Sequence, residues 1–429
     1  MESHYLPSHI QIARVLRLIY LSGLTTTSGG NISIRGNEGN VWITPSAVDK
    51  GDLTEKDIIK VRPDGSTEGL HKPSSELPFH QAIYKMRPDI GAIIHAHPPA
   101  LVSFSIVRKT PDTSILPQAQ YLCGRVGYAP YRLPGSEELG ESIAREFEKG
   151  SNAVIMENHG TVVGGRNLTE AYARFETLEF CARTQMKAYQ IGEPHALSAA
   201  QVQAFEDRPS TLAEFDPREE PTETERHIRY HLTNIIHRAC QQNLMTSAYG
   251  TISARIDDER FLINPTSFDR RQIQVKDLVL IKNGQRERGK LPSRAVQLHQ
   301  RIYRDHPHVQ CIINTQSPNV TAFCVAHQDL DSRTIPESYI LMEEIPLLPY
   351  DSILDDGATV SKALGPHVPI AFLQNDSVLV TGGSILETFD RLEVAEFTAT
   401  SLIDSHALGR MVPIEGQELQ DLKDKFLNK

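Results

Sequence analysis

Trp42–Val61 reads WITPSAVDKGDLTEKDIIKV, and the chain repeats it in outline as Phe261–Leu280, FLINPTSFDRRQIQVKDLVL. Working outward from this pair, Gly29-Gly30-Asn31-Ile32-Ser33 returns as Tyr249-Gly250-Thr251-Ile252-Ser253. HKPSSELPFHQAIY, ending at Tyr84, returns as GKLPSRAVQLHQRIY, ending at Tyr303. VVGGRNLTEAYARFETLEF, late in the first half, answers LVTGGSILETFDRLEVAEF in the second. The offset stays near 219 throughout, far too long a period for a solenoid, so the chain is a duplicated domain. The copies are assigned to residues 1–205 and 225–429. Between them, residues 206–224 (EDRPSTLAEFDPREEPTET) are rich in Pro and acidic side chains and read as an exposed linker.

Each copy mixes strands and helices. An amphipathic helix opens it, starting in the second copy near Arg226, and short alternating strands such as Asn31 to Arg35 and Val41 to Thr44 follow. A helix is expected from Ser74 or Ser75, whose hydroxyls suit an N-cap. GAIIHAH and AVIMEN read as buried strands, and a long helix from Leu168 to about Tyr189 closes the unit. The fold class is therefore α/β, each domain a mainly antiparallel central sheet flanked by helices.

Bulk composition narrows the function. A chain of 429 residues with 39% apolar and 23% charged residues is globular, and it has no apolar run of membrane-spanning length. The net charge of -10 argues against nucleic acid as a partner, which demands clustered Lys and Arg. Five scattered cysteines with no CxxC pair suit a reduced, cytoplasmic setting.

The chemistry sits in the first copy. His95 and His97 are two residues apart on an expected strand, so both imidazoles face one side, a spacing that suits one Zn²⁺. Glu76 is expected in the first turn of a helix, and His159 ends a strand ahead of Gly160. Singly these are weak signals. The second copy tests them together: Ala295, Asn314, Gln316 and Asp376 stand where Glu76, His95, His97 and His159 would recur. Loss of all four as a set is the behaviour of one metal site, because a partial ligand shell binds poorly. His80, by contrast, survives as His299 and reads as structural. Gly30, Asn31, Ser46, Ser74 and Ser75 lie on turns or at a helix start, where small donors make an anion pocket, and Lys72 adds charge nearby.

The motifs GGNIS, TPSAV, KPSSE, HAH and NHG, in this order, resemble the class II aldolase/adducin family, L-fuculose-phosphate aldolase-like, with a degenerate second copy. The resemblance covers about residues 8–195, and more weakly 226–408. It implies a metal-dependent lyase that cleaves a small sugar-phosphate through a Zn-stabilised enediolate. His95, His97, His159 and Glu76 would be its ligands, Glu76 also its acid/base, and Gly30, Asn31, Ser46, Ser74 and Ser75 its phosphate contacts. Mn²⁺, Fe²⁺ or Co²⁺ would suit the same N/O ligands. Epimerases of the family typically carry Asp where this chain has Glu76, which favours an aldolase. Relatives also run decarboxylase, dehydratase and epimerase chemistry, and the adducin branch is a scaffold without metal. One departure stands out: Ala47 occupies a position where the family's aldolases often have Gly, and its Cβ would crowd a backbone contact to phosphate. The family's rings further imply a homo-oligomer, two chains forming a four-domain ring, in which a tyrosine from a neighbouring domain completes the site. Tyr121 and its counterpart Tyr339 are the matching residues.

Overall fold

The computed structural model describes residues 6–207, 212–217 and 220–427. Residues 208–211 and 218–219 of the expected linker, and both extreme termini, lie outside the described residues. The chain divides into two compact units, Met1–Thr113 with Gln118–Arg183, and Ser114–Pro117 with Thr184–Lys429. No helix among the described residues is long and apolar enough to cross a membrane.

In the first unit the strands are β1 (Asn31–Arg35), β2 (Val41–Ile43), β3 (Ile59–Val61), β4 (Thr67–Glu68), β5 (Ala92–Ala96), β6 (Val126–Ala129), β7 (Ala153–Met156) and β8 (Gly160–Gly165). They form one sheet in the order β4-β3-β2-β1-β5-β8-β7-β6. Every neighbouring pair is antiparallel except β6–β7. The helices are α1 (Ser8–Leu21), α2 (Leu77–Met86), α3 (Pro99–Ile106), α4 (Pro117–Cys123), α5 (Glu137–Glu148) and α6 (Leu168–Ile191). Phe79 and Ile83 of α2 meet Ile43, Ile59, Ile93 and Phe147 in one buried cluster, which holds α2 and α5 on the sheet. Burial of each such side chain contributes roughly 1.5–3 kcal/mol.

The topology decides where chemistry can occur. Because β1 and β5 are antiparallel, Asn31 at the start of β1 lies opposite His95 near the end of β5. Because β5 and β8 are antiparallel, Ala96 lies opposite Thr161, at the start of β8. Residues far apart in sequence therefore converge at one end of the three central strands.

The second unit opens with α7 (Ala199–Glu206), β9 (Glu214–Phe215) and α8 (Glu223–Gln241). It continues through β10 (Thr251–Arg255), β11 (Arg260–Ile263), β12 (Val279–Lys282), β13 (Gln285–Glu287), α9 (Val296–Asp305) and β14 (Cys311–Thr315). Then come α10 (Pro318–Ala326), α11 (Pro336–Met342), β15 (Leu347–Leu348), α12 (Ala358–Ala363), β16 (Ile370–Leu373), β17 (Ser377–Gly382), α13 (Ile385–Ser405) and α14 (Gly416–Leu422). Its sheet order, β15-β16-β17-β14-β10-β11-β12-β13-β9, repeats that of the first unit and adds β9 at one edge. The strand registers sharpen the repeat: Ser33 pairs with Ile43 as Ser253 pairs with Ile263, an offset one residue longer than the segment comparison implied.

Three details differ from expectation, the first being that Glu214–Phe215 of the expected linker pair with β13 as strand β9. The helix after the SSE motif starts at Leu77, not at Ser74 or Ser75, and Glu76 is its N-cap residue. The cause lies upstream, where Pro45 and Pro73 form a bridge and the Ser74 N–H donates to the Thr44 carbonyl at 3.1 Å. Those contacts hold the chain extended until past Ser74. Strand β5 ends at Ala96, so His97 is the first residue beyond it.

Candidate metal centre

His95, His97 and His159 come together, their potential ligand atoms all within 4.8 Å of one another. Ring centroids are 4.8 Å apart for His95–His97, and 5.0 Å for each of the other two pairs. Glu76 joins them: Oε2 stands 3.2 Å from His95 Nε2, and Oε1 stands 3.7 Å from His159 Nε2. The quartet predicted from the two copies is thus one cluster in space.

The ring orientations are set by neighbours. His95 is fully buried, and its Nδ1–H donates to the Thr161 carbonyl at 2.9 Å. That bond places the lone pair on Nε2, which faces the cluster. Burial, reinforced by the neighbouring imidazoles, pushes His95 and His97 down to about 3. Burial also lowers His159, against the opposing pull of Glu76. Imidazoles held neutral in this way can offer lone pairs to a metal ion.

Glu76 provides the test of fit. Its Oε2 accepts from the Asn31 amide at 2.7 Å, whereas Oε1 is buried with no hydrogen-bond partner. An unpartnered carboxylate oxygen in a buried site is costly, and a cation among the imidazoles would satisfy it. Three imidazoles and one carboxylate are also a donor set that suits Zn²⁺.

His80 is a support, not a ligand. Its Nδ1 pairs with Ser33 Oγ at 2.7 Å, and Ser33 Oγ pairs with Tyr84 OH at 2.8 Å. The second unit repeats this trio with Ser253, His299 and Tyr303 at the same distances. In the first unit the chain extends one step further, since His80 Nε2 meets Asn31 Oδ1 at 2.5 Å. His80 thereby orients the amide that grips Glu76.

Two glycines escaped the sequence reading. A Cβ on Gly29 would come within 2.9 Å of His97 Nδ1, and one on Gly160 within 2.6 Å of both His97 Cδ2 and the Ala96 carbonyl. Both must be Gly for His97 to lie where it does. The signal was present, because Tyr249 and Ser377 replace them in the second copy. There the Tyr249 hydroxyl donates to Asp376 Oδ1 at 2.9 Å, and Ser377 Oγ donates to Oδ2 at 2.6 Å. Asn314 donates to Ser377 Oγ at 2.6 Å, and Gln316 to the Asp376 carbonyl at 2.9 Å. Side chains that bond one another occupy the place of the ligands.

The expected anion pocket is only partly open. Gly30 has φ 74°, and a Cβ there would lie 2.7 Å from the His95 carbonyl. Asn31 is committed to Glu76 and His80. The Ser46 N–H donates to the Lys72 carbonyl at 3.0 Å, and Ser74 Oγ accepts from the Glu76 N–H at 3.3 Å. Ser75 and the Lys72 side chain are exposed. Ala47 takes φ 55°, the conformation that favours Gly, and Ser267 repeats it at φ 54°.

The tyrosines do not join the cluster within their own units. Tyr121, on α4, is 53% exposed and lies near Arg166. Arg166 follows β8, at the strand end opposite His159, so Tyr121 belongs to the far end of that sheet. Tyr339, on α11, is 8% exposed and carries the Lys423 ammonium over its ring at 5.9 Å.

Fold and site together define a duplicated α/β domain with a histidine–carboxylate centre in its first copy. Comparison with known proteins agrees: the model of the Class II Aldolase and Adducin N-terminal domain matches residues 10–186 and again 230–403. The chain belongs to the class II aldolase and adducin family. It is 37% identical over 179 residues to 5-deoxy-D-ribulose 1-phosphate aldolase of Bacillus thuringiensis serovar kurstaki, covering 41% of this chain and 83% of that one. It is 35% identical to L-fuculose phosphate aldolase of Methanococcus maripaludis, covering 40% and 93%. A 3-oxo-tetronate 4-phosphate decarboxylase of Haemophilus influenzae is 34% identical, covering 39% and 81%. Each of these relatives thus accounts for about one copy.

Proposed function

We propose that the first unit is a metal-dependent lyase of the aldolase type, acting on a small phosphorylated sugar. The observation that carries this reading is the unpartnered Glu76 Oε1 in a cluster with three histidines whose charged forms burial disfavours. His95, His97 and His159, with Glu76, would hold the ion, and Zn²⁺ fits them best, with Mn²⁺, Fe²⁺ or Co²⁺ as substitutes. When bound, such an ion supplies Lewis-acid stabilisation of negative charge on substrate oxygens.

The residues do the rest. Aldol cleavage requires one proton to leave the hydroxyl that becomes the aldehyde, and one to reach the carbon left behind. Glu76, on leaving the ion, would carry one of these protons through Oε1, while the Asn31 amide keeps Oε2 occupied. Tyr121 of a second copy of the chain is a candidate for the other. Tyr339, buried on α11, is a further candidate. Turnover unchanged in both Tyr121→Phe and Tyr339→Phe would remove the tyrosines from the scheme.

A ketose 1-phosphate substrate is supported by the two aldolase relatives, and the Haemophilus relative supports decarboxylation of a 3-oxo acid phosphate as the second reading. Incubating the protein with a panel of both substrate classes, while following aldehyde and CO₂, distinguishes them. Aldehyde without CO₂ supports the aldolase, CO₂ the decarboxylase, and neither product from any substrate contradicts both.

A further inference from the structure

Lys50 is buried, with 3% of its surface exposed. Its ammonium donates to the Pro45 carbonyl at 2.9 Å, immediately behind the turn that carries Ser46 and Ala47. An ammonium has three N–H donors, and this one uses a single carbonyl. Among the described residues no carboxylate pairs with it, and burial alone pushes it down. A buried charge without a counter-charge is expensive to keep.

The second copy supplies the control. Arg270 takes the equivalent position, equally buried. Its Nε donates to the Gly250 carbonyl at 3.2 Å, and its Nη1 to those of Ser247 and Phe268 at 3.3 and 2.8 Å. In the copy without the metal ligands the cation is thus consumed by its own turn. In the copy with them it is left with donors to spare, beside the Ser46 turn, where the Asn31 amide and the Ser46 N–H and hydroxyl already donate within the chain.

We propose that Lys50 is an anion-binding residue, supplying from behind the Ser46 turn the fixed positive charge that holds the phosphate end of the substrate. This rests on the phosphorylated substrate proposed above. It also answers how an anion is held there when the Asn31 amide, the Ser46 hydroxyl and the Ser74 N–H already donate within the chain.

The test is binding of inorganic phosphate to the metal-loaded full chain, measured by calorimetry and by the phosphate-induced rise in Tm, in the wild type, Lys50→Met and Lys50→Arg. Lys50→Met should weaken phosphate binding on the order of tenfold or more, the loss expected for a charge-assisted contact, with metal content unchanged. For a substrate turned over, KM should rise far more than kcat falls. Lys50→Arg keeps the fold, as the second copy does, but spends its donors on the carbonyls of the turn, so it should lose severalfold. That variant decides the matter should Lys50→Met fail to fold. Wild-type phosphate affinity retained in a folded variant overturns the assignment of Lys50 alone. Absence of phosphate binding in the wild type overturns both that assignment and the phosphorylated-substrate reading.

Discussion

Asn31 holds Glu76: its side-chain amide donates to Oε2 at 2.7 Å and leaves Oε1 as the free edge of the carboxylate. The amide is itself oriented by His80, so a trio shared by both units is extended in one of them into a site. Asn31→Ala removes the grip without touching a ligand. It should lower metal affinity by about 10- to 100-fold, the usual loss for an outer-shell partner. Isothermal titration with Zn²⁺ checks this, and an unchanged affinity would detach Asn31 from the site.

Gly160→Ser writes the second copy's residue into the first. The new Cβ meets the Ala96 carbonyl, which is backbone and cannot step aside cheaply, as well as the His97 ring. We expect a loss of about 1–3 kcal/mol in stability, typical of overpacking, together with weaker metal binding as His97 is displaced. Urea denaturation and metal titration of the same variant report the two effects separately.

Acid should destabilise the metal-free protein. Burial holds His95 and His97 at about 3 in the folded chain, against about 6.5 for an unfolded His. The unfolded state therefore binds more protons between those values, so stability is complete above about pH 6.5 and is lost as pH falls towards 3. Replacing His95 with Asn and His97 with Gln, the second copy's residues, should flatten the dependence of Tm on pH in that window. An equally steep acid loss in the double variant would place its origin elsewhere.

Much of this was legible in the sequence because the chain contains its own comparison. Two copies with one packing pattern and different residues at four positions isolate Glu76, His95, His97 and His159 without any structure. Part of the sheet was also legible, since β1, β5 and β7 each carry alternating or continuous apolar runs of strand length, whereas the glycine-rich β8 carries none. The parts missed depend on distances that no spacing encodes. The start of α2 moved to Leu77 because a bridge between Pro45 and Pro73 outcompetes the N-capping hydroxyls. No spacing in the sequence tells that Gly29 and Gly160 lie against the His97 ring. Ser46 and Ser74 look like open donors in sequence, yet the Ser46 hydroxyl donates to the Lys72 carbonyl and the Ser74 N–H to that of Thr44. Glu179 went unread as well, although Glu396 repeats it: each accepts the backbone N–H groups that start the helix after the central strand, at Ala100 and Leu101, and at Asn319 and Val320.

The central claim is a single metal centre in the first of two homologous units. Metal content per chain, measured by mass spectrometry on the purified, Zn²⁺-equilibrated and desalted protein, tests it most directly. The account predicts one ion per chain, lost in His97→Gln and retained in Asp376→Asn. No bound ion, two ions per chain, or an ion that survives His97→Gln and disappears with Asp376→Asn would contradict it.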